Sequence, residues 1–295
     1  MNKSDLLFWA RSNTNVYWID DSPWIIRNSM LLPMSMPHTV QKINRNSVKE
    51  QLKKSTALLA HWSTEWNSME SEWWWTCCDL QNYDLEVIEN VNARRAIRKG
   101  LTYCEVKRIN PQDFVELAYP IFFKSLVSYR IPLSRIPSKE EYKKTIFQNA
   151  QYSGFELWGV FIEERLVGFS TCIYLDNAVN LGSTKSDPDY HKFNSNNALF
   201  YHITKYYINE CKVKYITNGY RNLLHQTNIN NFLIKMGYRK IYCRLNVELS
   251  FKLSAFVKSG LAKNLVQVRG IEKVIPEQFA QINALNKLIQ ISQSF

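Results

Sequence analysis

Apolar residues change their spacing along the chain in a way that separates helices from strands. Residues 1 to about 46 mix aromatic and polar residues with Pro23, Pro33 and Pro37, which predicts short strands and loops. Ser47 and Glu50 then read as a capping box opening a helix, with Val48, Leu52, Ser55, Leu59 and Trp62 on one face. The run Trp73-Trp74-Trp75-Thr76-Cys77-Cys78 predicts a buried strand, the alternative being an exposed aromatic platform. Leu101 to Ile109 alternates as a strand, and Asn110-Pro111 supplies a cap and a first helical residue. Phe114, Leu117, Ala118, Ile121, Phe122 and Ser125 mark the amphipathic helix that follows, ending near Arg130-Ile131-Pro132. A second capping box, Ser138 to Glu141, opens the next helix.

Phe155 to Ile162, Leu166 to Tyr174 and Ala178 to Thr184 are separated by the turns Glu163-Glu164-Arg165 and Asp176-Asn177, a three-strand meander. A polar loop, Lys185 to Asn196, leads into a helix from Asn197 to Cys211 with Leu199, Ile203, Tyr206 and Ile208 as core contacts. Val213 to Thr217 is a short strand. Thr227 caps a helix whose inward face is Ile229, Phe232, Leu233 and Met236, and Gly237 ends it as a left-handed residue. Ile241, Cys243, Leu245, Val247 and Leu249 then alternate with polar residues as one long strand. Beyond Leu253 the pattern predicts two helices separated by the Gly270 to Pro276 region.

At 295 residues, with 45% hydrophobic and 14% aromatic residues, the chain can supply real cores. No apolar run approaches the roughly 20 residues needed to cross a bilayer, and Arg11 cuts short the first run, Leu6 to Ala10. The expectation is a cytoplasmic protein with no stable membrane insertion. Six scattered cysteines without CxxC spacing, and no His at ligand distance, predict core thiols and no metal site, a catalytic cysteine being the alternative. The +11 net charge favours anionic partners such as CoA, nucleotide-linked sugars, tRNA or a membrane surface. Its densest knot is Arg94, Arg95, Arg98 and Lys99, which a solvated helix face also explains.

The order strand, helix, helix, three-strand meander, helix, strand, helix, strand over residues 101 to 250 resembles the GNAT acyltransferase fold. Three motifs carry the likeness. Asn92-Ala-Arg-Arg-Ala-Ile-Arg-Lys-Gly100-Leu-Thr-Tyr-Cys-Glu-Val-Lys-Arg108 resembles the entry to the GNAT-like half of Fem-type acyltransferases, where a basic helix precedes the first strand. Glu156-Leu-Trp-Gly-Val-Phe-Ile-Glu-Glu-Arg-Leu-Val-Gly168 resembles the family's second and third strands. Thr227 to Arg239 is similar to its last helix, which runs through Gly-Tyr here into a strand. The implied fold is α+β, a mixed and mostly antiparallel sheet flanked by helices. The implied organisation is a smaller N-terminal α/β region at 1–91, a partial or degenerate GNAT-like half; a GNAT-like domain at 92–253; and a helical tail at 254–295.

The resemblance implies a splayed pair of parallel strands, Ala178 to Thr184 and Val213 to Thr217, with the arm of an acyl-CoA, acetyl-CoA first among them, between them. The backbone of Leu181, Gly182 and Ser183 then bonds the pantetheine, and the amides opening the helix at Asn197 meet the pyrophosphate. GNAT enzymes usually carry Arg/Gln-x-x-Gly-x-Gly/Ala at that turn. Here it reads Lys192-Phe-Asn-Ser-Asn-Asn197, in which Asn tolerates left-handed angles in place of Gly, and a plain helix-capping loop is the alternative. Lys192, Asn194, Ser195, Asn196, Asn197 and Asn228 complete the donor-binding set.

Acyl transfer needs a proton acceptor, oxyanion donors and a proton donor for the leaving thiol. The tyrosine that serves the thiol in many GNAT enzymes is matched by Leu233. The polar residues Asn218, Tyr220, Arg221 and His225 after the short strand are placed to substitute, with His225 as base. A structural helix-entry role is the alternative for His225. Tyr190 and Asp187 are further candidates, and Arg221 suits a carboxylate or phosphate. His38, His61, His191 and His202 have no partner at telling spacing. The expected function is transfer from acyl-CoA to an amine or hydroxyl of a small polar acceptor, such as an amino sugar or amino-acid-like metabolite. The alternatives are Fem-type transfer from aminoacyl-tRNA to a cell-wall precursor, against which residues 1–91 look too short for a second half, and a non-catalytic GNAT-fold module.

Overall fold

In the computed structural model, which describes residues 3–12, 16–39, 43–129, 131–223, 228–260, 264 and 276–294, the elements follow one another with most helix starts fixed by side-chain caps. They are α1 (Lys3–Ser12), β1 (Val16–Ile19), β2 (Ser22–Arg27), β3 (Met30–Pro33), α2 (Arg45–Lys54), β4 (Leu59–Thr64), β5 (Trp74–Cys78), α3 (Val91–Tyr103), β6 (Glu105–Arg108), α4 (Pro111–Ser128) and α5 (Lys139–Ala150). There follow β7 (Phe155–Ile162), β8 (Arg165–Leu175), β9 (Ala178–Ser186), α6 (Ser195–Lys205), β10 (Tyr215–Tyr220), α7 (Ile229–Lys235), β11 (Arg239–Tyr242), β12 (Arg244–Leu249), α8 (Phe251–Lys258) and α9 (Pro276–Gln293).

Two units are interleaved along the chain. The first comprises Met1–Trp9, Thr76–Gly219 and Ile229–Arg239, and the second Ala10–Trp75, Tyr220–Asn228 and Lys240–Phe295. A seven-stranded sheet in the order β11-β5-β10-β9-β8-β7-β6 lies mostly in the first. Its meander is antiparallel and β9 to β10 is parallel, the mixed arrangement expected. Successive residues of β7 enter different cores, as pleating requires. Trp158 and Val160 join Ile97, Leu199, Ile203 and Leu233 from α3, α6 and α7. Leu157 and Phe161 join Phe114, Ala118, Ile121, Tyr142 and Ile146 from α4 and α5.

Asn110 accepts from the Asp113 amide at the start of α4, and Ser138 and Glu141 form a reciprocal box at α5. The expected box at Ser47 is displaced. Asn44 caps α2 by accepting from the Asn46 amide, while the Ser47 hydroxyl donates to Asp20 and Glu50 pairs with Lys53. Leu59 and Trp62 lie on β4 instead of the helix, in a strand buried along almost its whole length, where no period distinguishes the two. The expected strand from Leu101 begins only at Glu105, because α3 continues through the buried Gly100 to Tyr103. The expected helix to Cys211 is α6 followed by a π turn over Tyr206–Glu210. The long alternation after Ile241 breaks at Cys243, β11 pairing in one sheet and β12 in the other. Thr227, and most of the region from Gly270 to Pro276, lie outside the described residues.

The second unit has a five-stranded sheet, β1-β2-β3-β4-β12, antiparallel except for β3 with β4. Trp24, Leu31, Val48, Leu52 and Trp62 form one of its cores, and Trp73, Cys243, Leu245, Leu288 and Ile291 another.

On β4, His61 is only 4% exposed and meets the rings of Trp73 and Tyr220 edge-on. Burial lowers its imidazole from the ordinary 6.5 to about 4. The unfolded chain therefore binds the extra proton between these values, and stability is full above about pH 6.5 and lost as pH falls towards 4. Urea unfolding should show a loss of roughly 3 kcal/mol across that window, beyond what His61→Leu shows. Equal losses in both proteins would assign the dependence to other groups.

Candidate functional site

β9 and β10 are paired only where Ala178, Val179 and Asn180 face Tyr215, Ile216 and Thr217. Beyond that point β9 runs on to Ser186 and β10 to Tyr220, and the strands part. β10 is held on its other side, where the Thr217 hydroxyl donates to the Thr76 carbonyl of β5 at 2.9 Å and accepts from the Gly219 amide at 3.0 Å. Gly219 takes φ +86°, a left-handed angle that bends the strand end at no steric cost.

On β9 the register against β8 shifts between Ser170 and Cys172. The Ser183 amide there donates to the Thr171 hydroxyl at 2.9 Å, and a Cβ on Gly182 would stand 2.4 Å from that oxygen. Glycine is thus required at 182. The Ser183 N–H is committed within the protein, and Leu181 is buried in the core. Asn180 lies at the fork, its Oδ1 buried without a hydrogen-bond partner among the described residues and 4.0 Å from where a Gly219 Cβ would be.

The turn after β9 is anchored by Asp187. Lys124 Nζ reaches Asp187 Oδ1 at 2.5 Å and Asp189 Oδ2 at 2.6 Å, and Arg165 lies 3.7 Å from Asp187. Burial works against the Asp187 charge, but Lys124, the Asp189 amide and Arg165 hold its carboxyl below the usual range. Asn194 then takes φ +57° and ψ +36°, a left-handed conformation that Asn tolerates, and its side chain does not cap α6. Gly100 permits this turn to sit against α3, since a Cβ there would stand 2.6 Å from the Asn194 carbonyl oxygen.

The α6 start thus carries unpaired polar atoms in a positive helix-end field. Ser195 is fully buried, and its Oγ has no partner among the described residues. Asn196 Nδ2 donates to Ser186 Oγ at 3.2 Å while its buried Oδ1 has no partner there. Ser186 Oγ is also 2.9 Å from His191 Nε2.

Lys192, Asn194, Ser195, Asn196 and Asn197 therefore share one turn, at the end of the strand that carries Leu181, Gly182 and Ser183. Tyr190 belongs to the same turn, its ring beside Phe193 and beneath the Arg165 guanidinium. Arg221 and Asn228 belong to the second unit. Arg221 donates to the Glu72 carbonyl at 2.8 Å and stacks on Trp74 at 4.5 Å, and Asn228 is exposed before α7. His225 lies outside the described residues. Leu233 is fully buried, so its position offers no hydroxyl.

Asn180, Thr171 and Gly100 were not singled out as site residues from sequence. Asn180 between the apolar Val179 and Leu181 was the available signal; Gly100 gave none, since the strand was expected to begin at Leu101. Burial pushes the Cys78 and Cys243 thiols up to about 12 and raises Cys172 as well, with Glu156 adding to the last, so these act as core thiols. Among the described residues no group of three or more His, Cys, Asp or Glu is arranged to hold a metal ion.

The topology, parted strands and left-handed turn together define a GNAT-like α+β fold, one that FemX shares. No family model and no curated protein matches the chain. Among solved structures it is similar to the C-terminal domain of a putative lysylphosphatidylglycerol synthetase from Agrobacterium fabrum, with TM-score 0.57 and 10% identity over 86% of this chain and 90% of that one. FemX is similar with TM-score 0.56 and 8% identity over 84% and 92%, and L-PGS from Bacillus licheniformis with 0.53 and 10% over 90% and 96%. Such coverage exceeds the first unit alone, so the likeness extends into the second. Besides residues of the N-terminal region, β12, α8 and α9 belong to the second unit.

Ser195→Ala should leave the urea midpoint unchanged or raised, since it removes an unpaired hydroxyl, whereas Thr171→Val should cost about 1–2 kcal/mol by orphaning the Ser183 amide. A Ser195→Ala loss above about 1 kcal/mol would mean that this hydroxyl has a partner within the protein.

Proposed function

We propose that the chain is an acyl-CoA-dependent acyltransferase that moves an acyl group to an amine or hydroxyl of a small polar acceptor. The donor would lie along β9 with its pyrophosphate at the α6 start. One observation carries this reading: all the first unit's buried side-chain polar atoms without partners among the described residues, Asn180 Oδ1, Ser195 Oγ and Asn196 Oδ1, fall along that path. Each such atom costs about 1–3 kcal/mol, a cost that a bound ligand's donors and acceptors offset.

In this reading Asn180 accepts from a pantetheine amide. The Ser195 hydroxyl, the Asn196 and Asn197 amides and Lys192 take the phosphates. Gly182, lacking a Cβ, keeps Thr171 free to hold the Ser183 amide, so the strand edge facing the donor stays fixed. Attack on the thioester carbonyl forms the new C–N or C–O bond, the C–S bond breaks, and the acceptor's proton passes to a base. His225 is the proposed base, because imidazole changes charge near neutrality; Tyr190 is the proposed proton donor to the thiolate, and Arg221 the proposed acceptor-binding cation.

Mass spectrometry of freshly purified protein should find bound acyl-CoA. Calorimetric titration with acetyl-CoA and longer acyl-CoAs should give binding that Asn180→Leu and Ser195→Ala each weaken about tenfold, the loss of one hydrogen bond to a ligand. Absence of binding to every acyl-CoA would reject the donor. The second reading, transfer from aminoacyl-tRNA, is favoured by the likeness to Fem-type folds across both units and by the +11 charge. Salt-sensitive tRNA binding without CoA binding would replace the first reading with the second.

A further inference from the structure

A groove of about 490 Å3 opens on the second unit between α2, β12, α8 and α9, and none of the residues assigned above lines it. One wall is basic. Arg45, Lys49 and Lys53 project from successive turns of α2, each more than half exposed at the side chain. Glu248 of β12, itself nearly buried, holds Arg45 at 3.1 Å and Lys49 at 3.9 Å, which fixes two of these cations at the groove's edge. The floor is apolar, with Leu52, Val247, Leu249 and Ile289.

The helix that closes the groove has an unusual surface. α8, Phe-Lys-Leu-Ser-Ala-Phe-Val-Lys, contains no buried residue, and its first side chain, Phe251, is 85% exposed. Leu58, 48% exposed, sits beside it, because the Ser250 amide that precedes α8 donates to the Leu58 carbonyl at 2.9 Å. Lys252 and Lys258 flank the apolar residues. Exposed aromatic and aliphatic side chains bordered by lysines match the interface of a bilayer, where apolar groups enter the acyl boundary and cations meet lipid phosphates. Nucleic acid would use the cations but gains nothing from the exposed aliphatic Leu58.

We propose that this face docks the protein on an anionic phospholipid surface, with Phe251 and Leu58 entering the interface and Arg45, Lys49 and Lys53 binding lipid phosphates. The inference is independent of the acyl donor. Sedimentation of the full chain with phosphatidylcholine vesicles containing phosphatidylglycerol should show binding that salt weakens, and none with phosphatidylcholine alone. Phe251→Ser, and the pair Lys49→Glu with Lys53→Glu, should each weaken binding about tenfold or more, with the urea midpoint of Phe251→Ser unchanged. No binding of the wild type to the anionic vesicles, or equal binding by these variants, would overturn the proposal. So would tRNA binding that is lost in the lysine variant and retained in Phe251→Ser in the absence of vesicle binding.

Discussion

The parting of β9 from β10 after Asn180 is the constraint on which the first unit's candidate site depends. Two parallel strands in mid-sheet would ordinarily continue to pair, because unpaired backbone groups are costly away from water. Here each strand is committed on its far side. β10 is fastened to β5 through Thr217 and Thr76, and β9 to β8 through a shifted register in which the Thr171 hydroxyl takes the Ser183 amide. These contacts let the strands diverge while each remains rigid, and Gly182 and Gly219 supply the close approach and the bend that the divergence needs.

The same region holds three buried polar atoms, Asn180 Oδ1, Ser195 Oγ and Asn196 Oδ1, that have no partner among the described residues. Ser195 is packed beneath the first turn of α6, and Asn194 accepts a left-handed backbone instead of folding its side chain back as a cap. Gly100 brings α3 against this turn, which restricts the ways in which it could relax to pair those atoms. Polar groups held apart in a fixed frame suit a ligand that arrives with its own donors and acceptors. The ion pairs of Lys124 and Arg165 with Asp187 fix the preceding turn from the solvent side.

Local signals made much of this fold legible. Asn110-Pro111, the box from Ser138 to Glu141 and Gly237 each fixed a helix end through contacts within a few residues, and Gly237 takes the expected left-handed angle, φ +92°. The meander was legible because its turns lie at Glu163 and Asp176-Asn177, which also take positive φ. What failed depended on distant partners. A continuous alternation from Ile241 to Leu249 carries no sign that its halves join different sheets. Leu59 and Trp62 fit a helix face as well as a buried strand until the β12 partner is known. In the site, the left-handed turn could be read from Asn194, but the Thr171 to Ser183 bond and the isolation of Asn180 arise only when strands are in register. Arg221 finds Glu72 across 149 positions, beyond any local pattern.

Hydrogen exchange at single-residue resolution, with and without acetyl-CoA, tests the donor path most directly. Bound donor should slow exchange at the amides of Asn196 and Asn197 and along β9 beyond Leu181, leaving the five-stranded sheet unchanged. Unaltered exchange at these amides under saturating ligand, or protection confined to the second unit, would contradict a donor site between the parted strands.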